Sequence, residues 1–177
     1  MAAERQAPDA ILVQTNLTGA VTDIDEDPDS PDGNWLTTPG GSNIELVTTF
    51  GTPTGNPTAG AGLQEFKAWV RRTNNSARVP TMIFEVYDDG SLHATLETDV
   101  DVSSTSGEMH SGTWDASGLS SADGSTVELR ITAARTGGSL GDRNCVEIGA
   151  VEWNVDYAAA AAGTPYYYNR LLGYQAA

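Results

Sequence analysis

Apolar and polar residues alternate with a period of two over most of this chain, and that period predicts strands rather than helices. In "SNIELVTTF" the alternation puts Ile44, Leu46, Thr48 and Phe50 on one side. "LQEFKAWVRR" sets Gln64, Phe66, Ala68 and Val70 against Glu65, Lys67, Trp69 and Arg71, so one face is mostly apolar and the other is charged around a tryptophan. "TMIFEVYDDGSLHATLETDVDV" holds two alternating runs flanking Asp88-Asp89-Gly90-Ser91, a strong hairpin signal. Its second arm is expected to send Leu92, Ala94, Leu96, Val100 and Val102 inward. His93, Thr95, Glu97, Asp99 and Asp101 should then form an acidic outer face.

"GEMHSGTWDASG" predicts a strand ending at Trp114, and "STVELRITAAR" one with Val127, Leu129, Ile131 and Ala133 in register. In "NCVEIGAVEWNVDY" the apolar set runs through Val146, Ile148 and Ala150, then changes phase to Val151, Trp153, Val155 and Tyr157. A slip of one residue is what a β-bulge produces, so a bulge is expected between Gly149 and Val151. Seven or eight strands, with turn signals roughly every 8 to 12 residues, predict an all-β, antiparallel β-sandwich. A jelly roll is the first expectation. Residues 1–157 are expected to form the sandwich domain with an extended N-terminal segment, and residues 158–177 a separate C-terminal aromatic arm.

That arm reads "AAAAAGTPYYYNRLLGYQAA", where Gly163 and Pro165 would stop any helix begun by the alanines. Tyr166, Tyr167, Tyr168, Leu171, Leu172 and Tyr174 make it apolar and aromatic. It either folds back on the sandwich or docks on a neighbour.

The 177 residues suffice for one domain with a sizeable core. Their 24 acidic and nine basic residues give a net charge of −15, which excludes a continuous basic surface for direct nucleic-acid binding. Cys145 is the only cysteine, so an internal disulfide and a cysteine zinc cage are both excluded. It is expected to be a small buried hydrophobe. No membrane span and no secretory apolar region are read from the sequence, and the sequons at Asn16 and Asn74 are taken as accidental.

Candidate chemistry begins in the acidic stretch from Asn16 to Gly41. Asp23, Asp25, Asp27 and Asp29 alternate as the start of an EF-hand loop does, but Pro28 stands where that loop needs Gly and Asn34 where it needs Glu. A different calcium site on these four aspartates is the alternative to a solvated acidic loop that Trp35 plugs against the sandwich. Gly137 to Gly141 spell G-x-S-x-G, yet a strand follows where a nucleophile elbow needs a helix, so a hairpin loop is expected. No spacing demonstrates a catalytic carboxylate pair, and neither an enzyme nor a cofactor is expected. Trp153 is in phase with the core. Trp69, between Lys67 and Arg71, is read as an interface anchor or a sugar-stacking platform, and Trp114 is a second candidate platform.

The acidic run D-P-D-S-P-D-G-N-W-L from Asp27 to Leu36, the Gly/Pro loop, "LQEFKAWVRR" and the closing "VEIGAVEWNVDY" together resemble small β-sandwich virion proteins of tailed bacteriophages, capsid decoration (cement) proteins above all. The resemblance covers about Ala10 to Tyr157. It implies a structural protein, made in the host cytoplasm, that binds the major capsid protein on the outer capsid surface, commonly as a trimer. Trp69 and the arm's Tyr166, Tyr167, Tyr168, Leu171, Leu172 and Tyr174 would then be its contacts. The alternative from a different class is a carbohydrate-binding β-sandwich domain, as on a phage tail or fibre.

Overall fold

The computed structural model describes residues 2–38, 42–137 and 144–157. Nine strands build it: β1 (Ala2–Gln6), β2 (Pro8–Thr15), β3 (Ile44–Phe50), β4 (Gln64–Arg72), β5 (Thr81–Asp88), β6 (Ser91–Asp101), β7 (Glu108–Trp114), β8 (Val127–Ala133) and β9 (Val146–Tyr157). They pair antiparallel in two sheets, ordered β1-β9-β4-β7 and β2-β3-β8-β5-β6. The four-stranded sheet and the β3-β8-β5-β6 run have jelly-roll order, and β2 is added at the edge of the second sheet. Among the described residues no helix is long and apolar enough to cross a membrane.

The inner faces meet in an aromatic cluster. Phe66 stacks on Trp114 at 5.9 Å between ring centroids and lies 5.6 Å from Trp153, and Phe50 lies 5.1 Å from Phe66. Trp153 and Phe66 are fully buried. Each such side chain contributes about 1.5–3 kcal/mol by leaving water.

The phase change in β9 is the expected bulge: Trp69 pairs with Ala150 and Val70 with Ile148, leaving Gly149 unopposed. Its effect is to keep both halves of the strand facing inward, with Val146, Ile148, Val151, Trp153 and Val155 all buried.

Strand β6 departs from expectation. Register shifts at three places along β5 and β6 slip its phase, so Tyr87 pairs with Leu92, Glu85 with Thr95 and Phe84 with Glu97. Paired residues point to the same side, and Leu92 is therefore outside, 54% exposed, rather than in the core. Glu97 and His93 turn inward instead. At the seam where β6 faces β7, His110 Nδ1 lies 2.9 Å from Glu97 Oε2, and the His93 ring meets Trp114 edge-on at 5.4 Å.

Two strands, β1 and β2, occupy the segment expected only to be extended. Cys145 is buried as expected; its thiol donates to Ser42 O at 2.8 Å, and burial pushes its pKa up to about 11. The C-terminal arm, with Tyr166, Tyr167, Tyr168, Leu171, Leu172 and Tyr174, lies outside the described residues, as does Ser139 of the G-x-S-x-G run.

Candidate functional site

With both inner faces spent on the core, the outer faces and the loops are left for ligands, and one opening of about 470 Å³ lies among Ala77, Arg78, Val79 and Thr136 in the loops. On the four-stranded sheet the chain itself covers the part of the outer face nearest β9, while Ser111 and Thr113 of β7 stay exposed. Residues 16–38 run beside β9 where β1 stops: Ile24 O accepts from Val151 N at 3.0 Å, and Leu36 bridges Ile148. Ile24 and Leu36 are fully buried, so the acidic stretch is a strap pinned by two aliphatic plugs.

Trp35 is half-buried beside the Leu36 plug. It lies so close over the bulge that a Cβ on Gly149 would fall 2.9 Å from its ring, and the Arg71 guanidinium stacks on its face at 4.1 Å. Cations of this face are engaged in turn: Arg71 with Glu147 at 2.8 Å, Lys67 with Asp29 at 2.8 Å, and Arg5 with the buried Glu152. Trp69 is half-buried, with Gly107, at φ +117°, against its indole edge. A side chain at residue 107 would collide with that ring.

The strap's aspartates do not converge. Asp23 accepts from Ala20 N, Asp27 from Asp29 N, and Asp29 is bound to Lys67, as short polar side chains do in turns. Burial, with Asp32 and Asp25 nearby, holds the Glu26 carboxyl above its usual range. Among the described residues no group of three or more His, Cys, Asp or Glu is placed to hold a metal, so the calcium alternative on Asp23, Asp25, Asp27 and Asp29 finds no ligand set.

The outer face of the five-stranded sheet is open. Strand pairing lays its side chains in rows: Thr49, Glu128, Tyr87 and Leu92 in one, then Val13, Val47, Arg130, Glu85 and Thr95, then Thr15, Glu45, Thr132 and Ile83. Two adjoining clefts follow the rows. One of about 200 Å³ includes Leu12, Val13, Tyr87, Glu128 and Arg130; the other, of about 380 Å³, includes Asn43, Thr81, Ile83, Asp99 and Thr132; and Glu45 lines both.

Arg130 sits at the centre. Its Nη1 donates to Tyr87 Oη at 2.8 Å, and its Nη2 lies 2.6 Å from Glu45 Oε1. Burial would lower the Arg130 pKa, but Tyr87 and Glu45 outweigh it and raise it above the ordinary value. Glu128 moves up from its ordinary value as well, through burial first and then the charges of Asp89 and Asp88.

No protein family and no curated protein matches the sequence. Solved structures with a similar arrangement include the C-terminal domain of EclA, described as a sugar-binding protein, at 16% identity over 70% of this chain and 86% of that one, with a TM-score of 0.40. A CBM36-1 domain of a multidomain xylanase from the hindgut metagenome of Trinervitermes trinervoides is similar at 11% identity, over 68% of this chain and 77% of that one, TM-score 0.34. The CBM22-1 xylan-binding domain from Paenibacillus barcinonensis is similar at 13% identity, over 73% and 80%, TM-score 0.34.

The open face can offer apolar contact and hydrogen bonds side by side. Tyr87 and Leu92 give adjacent apolar surface, and the carboxylates and guanidinium beside them are planar groups able to make paired hydrogen bonds. Sequence reasoning missed this site. The signal for Tyr87 was present, because Met82, Phe84 and Val86 inward in "TMIFEVYD" require Ile83, Glu85 and Tyr87 outward; Leu92 depends on register shifts that no pattern announces.

Proposed function

We propose that the chain is a non-catalytic carbohydrate-binding β-sandwich domain whose ligand lies on the outer face of the five-stranded sheet. The observation that carries this is an uncovered cleft lined by Tyr87 and the Glu45–Arg130 ion pair, with Leu92 exposed beside Tyr87 as its strand partner. A pyranose ring has a C–H face rimmed by hydroxyls. Its recognition therefore calls for apolar or aromatic surface with a few oriented polar groups, as in other small-molecule sites. Glu45 is committed to Arg130, which suits positioning of hydroxyls rather than acid–base chemistry. What the similar structures bind is a property of theirs; for this chain the reading stands on the cleft.

A phage tail or fibre would be a fitting carrier for such a domain. The capsid-decoration reading instead places its contacts on Trp69, whose indole edge is already covered by Gly107, and on residues 158–177. A glycan array probed with the purified protein tests the proposal. Binding lost in Tyr87→Ala and kept in Trp69→Ala is the expected result. An empty array, together with saturable co-sedimentation with capsids, would replace it with the decoration protein.

A further inference from the structure

The charges of the open face bear on the class of glycan it suits. Glu45, Glu85, Glu128 and Asp99 stand on it or line its clefts, and Arg130 is the cation among them. That guanidinium is already engaged, by Glu45 at 2.6 Å and Tyr87 Oη at 2.8 Å. A uronate or sulphate arriving there would meet unbalanced carboxylates at contact range, where solvent screening is weakest. Hydroxyls suffer no such penalty, since carboxylates are acceptors for them.

The clefts also have a direction. Tyr87 and Thr81 are on one strand, six residues apart, so the surface between them extends ~20 Å at the usual strand rise. That is long enough for several sugar units in line. Its apolar end, at Tyr87, Leu92 and Leu12, is followed by hydroxyl and amide groups at Thr132, Thr81 and Asn43.

We propose that this face binds an internal stretch of an uncharged polysaccharide, running along the strands, and discriminates against anionic glycans through Glu85 and Glu128. The proposal rests on the carbohydrate-binding reading and adds the ligand's charge class and its extended pose.

The test is affinity gel electrophoresis in low salt with neutral polymers (xylan, mixed-linkage β-glucan, galactomannan) and anionic ones (polygalacturonate, alginate), followed by calorimetry with oligosaccharides of two to six units from the polymer that binds. Retardation by at least one neutral polymer is expected, with anionic polymers at least tenfold weaker. Affinity should rise at least tenfold from the disaccharide to the tetrasaccharide. The double variant Glu85→Gln/Glu128→Gln, checked for an unchanged fold by circular dichroism, should gain affinity for polygalacturonate, and no gain would overturn the part assigned to these two carboxylates. Anionic polymers bound as well as neutral ones, or a disaccharide bound as tightly as a tetrasaccharide, would overturn this inference and leave the binding module standing. Retardation by neither class would overturn the module itself, and the inference with it.

Discussion

The two outer faces of the sandwich are built from the same kind of strands and have opposite fates. On the four-stranded sheet, the strap of residues 16–38 supplies Ile24 and Leu36 to the core, Asp29 to Lys67 and Trp35 to Arg71. On the five-stranded sheet nothing in the described chain plays that part, and Leu12 and Leu92 stay 55% and 54% exposed. The difference shows where to look for a ligand. The strap takes up Trp35, Arg71 and Lys67 on one face. On the other, Arg130 is taken up within the sheet by Glu45 and by Tyr87, whose ring it overlies at 5.2 Å, and Leu12 and Leu92 are what the described chain leaves bare.

The sharpest way to break this comparison is to unpin the strap. Leu36→Ala removes a fully buried side chain and is expected to cost about 2–5 kcal/mol, by the usual range for such truncations. Urea unfolding measures it. A variant within ~0.5 kcal/mol of the parent would mean that the strap is held by its ion pairs after all, against the low yield of exposed pairs.

Next in size is the tie beneath the open face. Asp88 ends β5 at the hairpin that sets Tyr87 beside Leu92, and its buried carboxylate accepts from Ser120 N at 2.6 Å, Ser120 Oγ at 2.7 Å and Thr126 Oγ1 at 2.6 Å. Burial alone would raise its pKa, but these hydrogen bonds, with His93 adding, hold it below the ordinary 3.8. A depressed carboxylate contributes stability that is complete above the unfolded value and is lost as pH falls through the folded one. Glu128 has the opposite sign: its folded value is raised above 4.5, so its contribution is complete below that value and is lost as pH rises. Asp88→Asn should therefore cost about 1.5–3 kcal/mol at pH 7 and lose that cost toward pH 3. Glu128→Gln should be neutral at pH 3 and slightly stabilising at pH 7. Melting midpoints of both variants from pH 3 to 7 check the divergence, and parallel curves would refute it.

How much of this was legible in the sequence differs between the faces. β4, β5, β8 and the bulge in β9 were readable because they alternate strictly against a buried side, and Gly149 sits where the phase breaks. β1 and β2 were not, since edge strands carry exposed residues such as Leu12 and Val13 that blur the alternation. The acidic strap was recognised as a loop with an anchor. Its plugs, Ile24 and Leu36, were overshadowed by the carboxylates and Trp35 around them. Leu92 could not be placed, because a register shift is a property of two strands and the pattern reports on one.

Smaller effects compare the aromatic residues directly. Tyr87→Ala is expected to cost no more than about 1 kcal/mol in stability, because the ring is half-exposed and outside the core, yet to weaken glycan binding at least tenfold, or ~1.4 kcal/mol. Trp69→Ala should do the reverse. It loses packing against Gly107 and lowers the melting midpoint, with glycan affinity unchanged. Calorimetry beside thermal melts separates the two, and a Trp69 variant that lost the glycan would move the site to the covered face.

The smallest effect expected is that of the strap's visible ion pair. Lys67 and Asp29 meet at 2.8 Å, but the Asp29 side chain is 64% exposed. A pair so placed gains little over hydration and must order two side chains, so Lys67→Ala is expected to cost about 0.2–1 kcal/mol. A double-mutant cycle with Asp29→Ala should return a coupling within that range, shrinking in high salt as screening rises. The acidic strap would then owe its position to the two aliphatic side chains it buries. Its charge would serve only to keep the covered face wet and unattractive to other copies of the same acidic chain.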